Sequence, residues 1–251
     1  MIYTAESIDN INSAFKPLSS QKIARYLGFE NFTKMIDNNE LWLSNSRKFS
    51  DKNEGEIPYS FFQNWPKESR HNYSTLQKLK GNIYQAFISC WFEFTMESEP
   101  MWKAYGGEKV GTAHNSKGVC IISDVSKLAM YTHYLETQIY KVKYIDYKEK
   151  ALLQPPFYFS MKTEAEIPVF SERVFFVYKQ KEYQEEKEIR AITYQKSNRD
   201  GIGAKIDPND FIENIIINPH ATIENKKEIM NYLVANQLEN KLIESKIKCR
   251  Y

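Results

Sequence analysis

The sequence predicts an α+β fold with insertions, in one domain spanning residues 1–251. Three observations lead there. Short β-branched and aromatic runs recur from Ile23 to Ile217, and segments with helical apolar spacing lie between and after them. No linker, low-complexity block or internal repeat divides the chain. A content of 42% hydrophobic and 14% aromatic residues over 251 positions is ample to bury a core.

The opening segment reads β-α-β. Ile23-Ala24-Arg25-Tyr26 forms a short strand, Glu30 to Asn39 places Phe32, Met35 and Ile36 at helical spacing, and Leu41-Trp42-Leu43-Ser44 returns as a strand. From Phe49 to Gly81 the chain mixes acids, aromatics, Pro58 and Pro66, which predicts a loop-rich excursion with one helix at Tyr73 to Lys80. Strands follow at Tyr84 to Trp91, Gly118 to Ile122 and Thr137 to Tyr144, with Met101 to Tyr105 and a glycine-containing loop between the first two. Ser171 can cap a helix to Lys181 that carries Val174, Phe175 and Tyr178 on one stripe. Glu186 to Tyr194 is then a strand, Asp200 to Gly203 a turn, and Ile212 to Ile217 a last strand closed by Asn218-Pro219. Thr222 and Asn225 open an amphipathic C-terminal helix with Ile229, Tyr232, Leu233 and Leu238 toward the core.

Charge and cysteine usage exclude several classes. The formal net charge is +2, from 34 basic and 32 acidic residues spread along the chain, so no global field attracts a polyanion. Cys90, Cys120 and Cys249 lack paired spacing and do not lie beside the four histidines as a zinc cage requires, so no metal site is expected and a reducing compartment is the natural setting. Neither a basic-apolar leader nor a run of ~20 apolar residues is present. The expectation is a cytoplasmic protein without a membrane partner.

The segment Glu186-Lys187-Glu188-Ile189-Arg190 carries the chemistry. On an extended strand Glu186, Glu188 and Arg190 share one face, and Lys187, Ile189 and Ala191 the other. Such a face can simply be solvated. It can also work: a carboxylate kept anionic by the arginine can stabilise positive charge on a sugar carbon or accept a ribose hydroxyl, while its neighbour orients a nucleophile. Those are the requirements for cleaving a glycosidic bond through an oxocarbenium-like transition state.

Other candidates carry two readings each. Arg25 can hold a diphosphate or lie on the surface; Ser89 can fix a ribose or fill a strand. Trp102 and Tyr105, with Met101, can stack on a nicotinamide or a base, or pack in the core. Asp51 and Glu54 can face the same pocket or serve a turn. Lys241, Lys246, Lys248 and Arg250 leave the C-terminal end basic, which suits phosphate contact or a helix dipole. Gly201-Ile202-Gly203 opens no helix after a strand, so neither a Walker nor a Rossmann phosphate loop is present.

Arg25, then Ser89, then Glu186-x-Glu188 is the order found in the arginine-serine-glutamate class of ADP-ribosyltransferases, which the chain resembles. A broader likeness runs from Arg25 to Arg190. Arg25-Tyr26, Leu41-Trp42-Leu43-Ser44, Phe49-Ser50-Asp51 with Glu54, Ile88-Ser89-Cys90, Met101-Trp102 with Tyr105, Gly118-Val119-Cys120-Ile121 and Glu186-x-Glu188-x-Arg190 look like a poorly characterised family of bacterial and phage proteins. Ser50 and Lys52 stand where that family has Asn and Pro, and Tyr183 stands near its tryptophan. The opening segment, with Asn31-Phe32 leading its helix, is also similar to DNA-modifying, DarT-like ADP-ribosyltransferases.

These resemblances imply an ADP-ribosyltransferase-like mixed β-sheet core with flanking helices, and an enzyme that consumes NAD as substrate. Glu188 would be the catalytic carboxylate and Glu186 its partner, with Arg25, Tyr26, Ser89, Trp102, Tyr105 and Arg190 binding NAD. A toxin or anti-phage effector that modifies a nucleic acid or a protein, with an antitoxin as partner, is the implied role. A non-enzymatic module sensing a nucleotide or phage component is the alternative, followed by a metal-dependent nuclease using the acidic groups.

Overall fold

Apolar spacing from Lys22 to Asn45 becomes strand β1 (Lys22–Gly28), helix α1 (Phe29–Asn38) and strand β2 (Glu40–Asn45), the β-α-β segment read from sequence. Helix α1 buries Phe29, Phe32, Met35 and Ile36. It ends because Asn39 takes the left-handed conformation, φ 51°, and turns its N–H back onto the Ile36 carbonyl at 3.1 Å. The computed structural model describes residues 15–49, 51, 54–55, 85–110, 113–146, 157–158, 169–170 and 176–247. The helix expected at Tyr73 to Lys80 and the Ser171 cap lie outside these residues.

Strand β3 (Ala86–Glu93) precedes helix α2 (Glu99–Tyr105), whose cap Ser98 accepts from the Met101 N–H. The hairpin strands β4 (Glu108–Val110) and β5 (Ala113–Asn115) lead to β6 (Gly118–Asp124), and Asp124 caps helix α3 (Val125–Thr132). Strands β7 (Gln138–Lys141), β8 (Lys143–Ile145), β9 (Phe157–Tyr158), β10 (Val169–Phe170), β11 (Tyr178–Gln180), β12 (Glu188–Tyr194) and β13 (Gly201–Lys205) follow. Helix α4 (Pro208–Phe211), strand β14 (Asn214–Ile217) and helix α5 (Ile223–Ala235), capped by Thr222, complete the described chain. The architecture is α+β: a mostly antiparallel sheet with flanking helices.

The chain forms two compact units, each assembled from three separated stretches. The first comprises Met1–Pro17, Leu43–Ser89 and Thr137–Ile202. In it β12 lies antiparallel to β7, with Ile189 opposite Lys141 and Arg190 opposite Tyr140, and also pairs with β3. Strand β11 runs parallel to β8 and sets Lys179 opposite Tyr144. Phe87, Ile88, Phe176, Val177, Ile189, Ala191 and Ile192 are buried in this unit. The second unit comprises Leu18–Trp42, Cys90–Glu136 and Gly203–Tyr251. There β6 is flanked by β1 and β14, with Tyr26 and Ile216 both opposite Cys120, one on each side. Its core joins Ala24, Tyr26, Phe92, Met101, Trp102, Cys120, Ile122 and Ile216.

Three sequence expectations need correction. Within the helix expected to end at Lys181, Tyr178–Gln180 is a strand and Lys181–Glu186 a 3₁₀ helix. Strand β12 begins at Glu188 rather than Glu186, because Lys187 adopts the left-handed conformation, φ 40°, and breaks the two-residue alternation. The expected turn at Asp200 to Gly203 is largely strand β13. Among the described residues no helix is long and apolar enough to cross a membrane.

Candidate active site: a buried carboxylate held by two cations

Every described position of β12 from Glu188 to Thr193 is buried, so its charged face is not solvent decoration. Glu188 is 8% exposed and Arg190 1%. Two residues apart on one strand, they share a face, and Arg190 Nε donates to Glu188 Oε2 at 2.6 Å while a terminal guanidinium nitrogen meets the same oxygen. The other terminal nitrogen, Nη1, donates to the Phe176 carbonyl at 2.9 Å and to Glu54 Oε1. The guanidinium fork is thus shared between two carboxylates and a backbone oxygen.

A second cation comes from β11. Lys179, also buried, donates from Nζ to Glu188 Oε1 at 3.3 Å and closely to Glu186 Oε2, and lies 4.7 Å from the centre of the Tyr183 ring. Its strand neighbour Tyr144 approaches the same carboxylate residue, accepting the Glu188 backbone N–H on its hydroxyl at 2.8 Å. The Val142 N–H donates to the Glu188 carbonyl at 2.9 Å. Strands β8, β11 and β12 therefore fix Glu188 by both backbone and side chain.

Burial works to raise the Glu188 carboxyl, but the Arg190 and then the Lys179 charge outweigh it and hold the group below the ordinary carboxylate range. Burial likewise works to lower Lys179, and the Glu188 charge leads the interactions that keep it above its usual value. Tyr144 is pushed up, first by burial and then by the Glu188 charge. At neutral pH Glu188 is an anion, Lys179 a cation and Tyr144 a neutral phenol.

This arrangement limits the chemistry. An anion held this firmly is no general acid. It suits a fixed negative charge beside a developing cation, or an acceptor for a substrate hydroxyl. Oε2 already takes two guanidinium N–H groups, whereas Oε1 takes one ammonium, and a carboxylate oxygen can accept two hydrogen bonds. Among the described residues Oε1 accordingly carries one donor fewer than Oε2. Glu186, at the end of the 3₁₀ helix with its side chain 15% exposed, is the more accessible carboxylate. A metal role is poorly served, since the chain's own cations sit between these carboxylates; among the described residues no group of three or more His, Cys, Asp or Glu is placed to hold an ion.

Of the residues singled out in the sequence, Glu186, Glu188 and Arg190 come together, joined by Glu54. Asp51 is nearby in sequence and accepts the Glu54 N–H on its carbonyl at 3.1 Å, a turn role. Ser89 is buried on β3, the strand that pairs with β12. Arg25, Tyr26, Trp102 and Tyr105 belong to the other unit. There Arg25 donates to the Trp42 carbonyl at 3.2 Å and lies 5.8 Å from the Trp91 ring centre.

Trp102, read with Tyr105 and Met101 as a stacking or core residue, packs against Tyr26. Their rings meet edge to face at 4.8 Å inside the core, with exposures of 1% and 4%. The Tyr26 hydroxyl accepts the Ser98 N–H at 2.9 Å and Trp102 Nε1 donates to Glu97 at 3.2 Å. Rings enclosed in this way have no free face for a nicotinamide. Tyr105, 45% exposed, is the accessible member of the group.

Sequence reading missed Lys179 and Tyr144. Lys179 directly follows Phe176-Val177-Tyr178 and opens the charged run Lys179-Gln180-Lys181-Glu182, so the sequence does not set it apart from its exposed neighbours. Tyr144 was legible only as a strand residue.

Residues 101–191 match the model of a family described as a protein of unknown function (DUF2971). The matched stretch spans the positions of Tyr144, Lys179, Glu186 and Glu188 to Ala191 and does not reach Arg25, Glu54 or Ser89. No curated protein and no solved structure matches the chain.

Proposed function

We propose that the protein is an NAD-consuming ADP-ribosyltransferase that acts as a toxin or anti-phage effector on a nucleic acid or a protein, with an antitoxin as its restraining partner. One observation carries this reading: Glu188 is a buried carboxylate kept ionised by Arg190 and Lys179, with an acceptor position left on Oε1. In the reaction, the bond between the nicotinamide nitrogen and ribose C1′ breaks, and its electron pair neutralises the pyridinium ring as nicotinamide leaves. The ribose carbon becomes oxocarbenium-like, and Glu188 opposes that charge while accepting a ribose hydroxyl on Oε1. The acceptor's nucleophile then bonds to C1′, its proton passing to Glu186 or to water. Arg190 keeps Glu188 in place, and Ser89 supports the neighbouring strand.

The test is release of nicotinamide from labelled NAD with mixed protein and nucleic-acid acceptors. Glu188→Gln keeps the shape and removes the charge, so the rate should fall by about 10²-fold or more. A folded Glu188→Gln variant that retains the wild-type rate refutes the assignment.

A second reading has its own observation. Both oxygens of Glu188 already receive hydrogen bonds within the chain, which suits a rigid sensing module that binds a nucleotide without turnover. NAD binding by wild-type protein without nicotinamide release would favour it.

A further inference from the structure

Lys179 lies between the two carboxylates of the site. Its ammonium contacts Glu186 Oε2 closely and Glu188 Oε1 at 3.3 Å, while its side chain is 8% exposed. A positive charge next to Glu188 opposes the stabilisation of a substrate cation, so it contributes nothing to that step by attraction. What it can contribute is geometry. Glu186 stands on the 3₁₀ helix and Glu188 on β12, with left-handed Lys187 between them, so backbone alternation does not set the carboxylates side by side. The Lys179 ammonium touches both.

We propose that Lys179 is a positioning residue that holds Glu186 and Glu188 together as a pair of anions and leaves the second acceptor position of Glu188 Oε1 to the substrate. Its role in turnover rests on the transferase reading; its effect on Glu188 does not. Among the described residues, the charged and titratable groups around Glu188 are Arg190 on its own strand, Lys179 on β11, Tyr144 on β8, Glu186 and Tyr183 on the 3₁₀ helix, and Glu54 beyond Arg190. Removing Lys179 leaves Arg190 as the one cation on Glu188 among the described residues and takes the ammonium contact away from Glu186. Removing the charge of Glu186 has the opposite effect, because Lys179 then serves Glu188 alone.

Full-length protein labelled with ¹³C in its glutamate carboxyls, with the Glu188 signal identified by its loss in Glu188→Gln, reads this directly. The Glu188 titration midpoint should rise by about one pH unit in Lys179→Met, stay near wild type in Lys179→Arg and fall in Glu186→Gln. In nicotinamide release from NAD, Lys179→Met should lower kcat about tenfold with little change in KM, and its acid limb should move up with the carboxyl midpoint. A merely structural lysine would leave the acid limb where it is. A folded Lys179→Met whose Glu188 midpoint does not move overturns the proposal. If Lys179→Met does not fold, a midpoint in Glu186→Gln that fails to fall does so instead. Carboxyl shifts as expected in a protein that never releases nicotinamide would sink the transferase reading and leave the effect of Lys179 on Glu188 standing.

Discussion

Replacing Arg190 with methionine should cost about 4 kcal/mol of folding stability. The side chain is 1% exposed and donates to Glu188 Oε2 at 2.6 Å, to the Phe176 carbonyl at 2.9 Å and to Glu54. Methionine fills most of the volume but supplies no donor, leaving two buried carboxylates and a carbonyl short of partners. Breaking a buried pair from one side costs about 3–5 kcal/mol, and an orphaned carbonyl adds about 1 kcal/mol or more. Protonation of a stranded carboxylate and residual pairing of Glu188 with Lys179 cap the total, which sets the figure near the middle of the first range. That is a large part of the roughly 5–15 kcal/mol available to a folded protein. Urea unfolding followed by far-ultraviolet circular dichroism measures it, at pH 7 and again at pH 5. In the Glu188→Gln background the same substitution should cost about 2 kcal/mol less, since one stranded charge is already gone. A loss below about 1 kcal/mol, or strict additivity of the two changes, would refute the claim that Arg190 is held there by charge.

Acid should weaken the site in a defined window. Because the folded Glu188 carboxyl lies below its ordinary value of 4.5, its contribution is fully present above that value and is lost as pH falls through the folded one. The stability advantage of wild type over Glu188→Gln should therefore shrink below pH 4.5; an advantage that stays constant from neutral pH down to pH 3 contradicts the ionisation assigned here. In the other unit, a methyl group on Gly118 would lie 2.4 Å from the Gly106 carbonyl oxygen and 2.5 Å from that of Leu27, both backbone atoms. Gly118→Ala should cost about 1–3 kcal/mol by prying apart the end of the β1–β6 ladder, and an unchanged urea midpoint would show that the ladder gives way freely.

Elements with a clean period were legible in the sequence. Phe32, Met35 and Ile36 mark α1, Ile229 and Leu233 mark α5, and the β-branched run in β6 matches a strand buried on both faces. β11 was not legible for a physical reason. Phe176, Val177, Tyr178 and Lys179 are all buried in succession, so no alternation distinguishes that stretch from a buried helix segment. Lys187 gave no sign of its left-handed backbone, which glycine or asparagine would have signalled. The two units were hidden because each draws on three stretches that alternate along the chain, and no composition change marks such boundaries. Glu186, Glu188 and Arg190 could be picked out as a group because they are local; Glu54, 136 residues from Arg190, could be named but not placed.

The same cluster is a poor device for stability alone, and this bears on what it is for. Taking Glu54, Glu188, Lys179 and Arg190 out of water costs several kcal/mol per ion, and mutual attraction returns that only with good geometry on every partner. Apolar residues of similar size at these positions would hold β8, β11 and β12 together at no such expense, and Phe176, Val177 and Ile189 are already buried in the same unit. A chain that places three carboxylates around two cations beside so much apolar surface gains ionisation and orientation rather than cohesion. Ionisation and orientation are what Glu188 needs if it faces a developing cation, and they supply the reason to measure Glu188→Gln first by turnover and only then by stability.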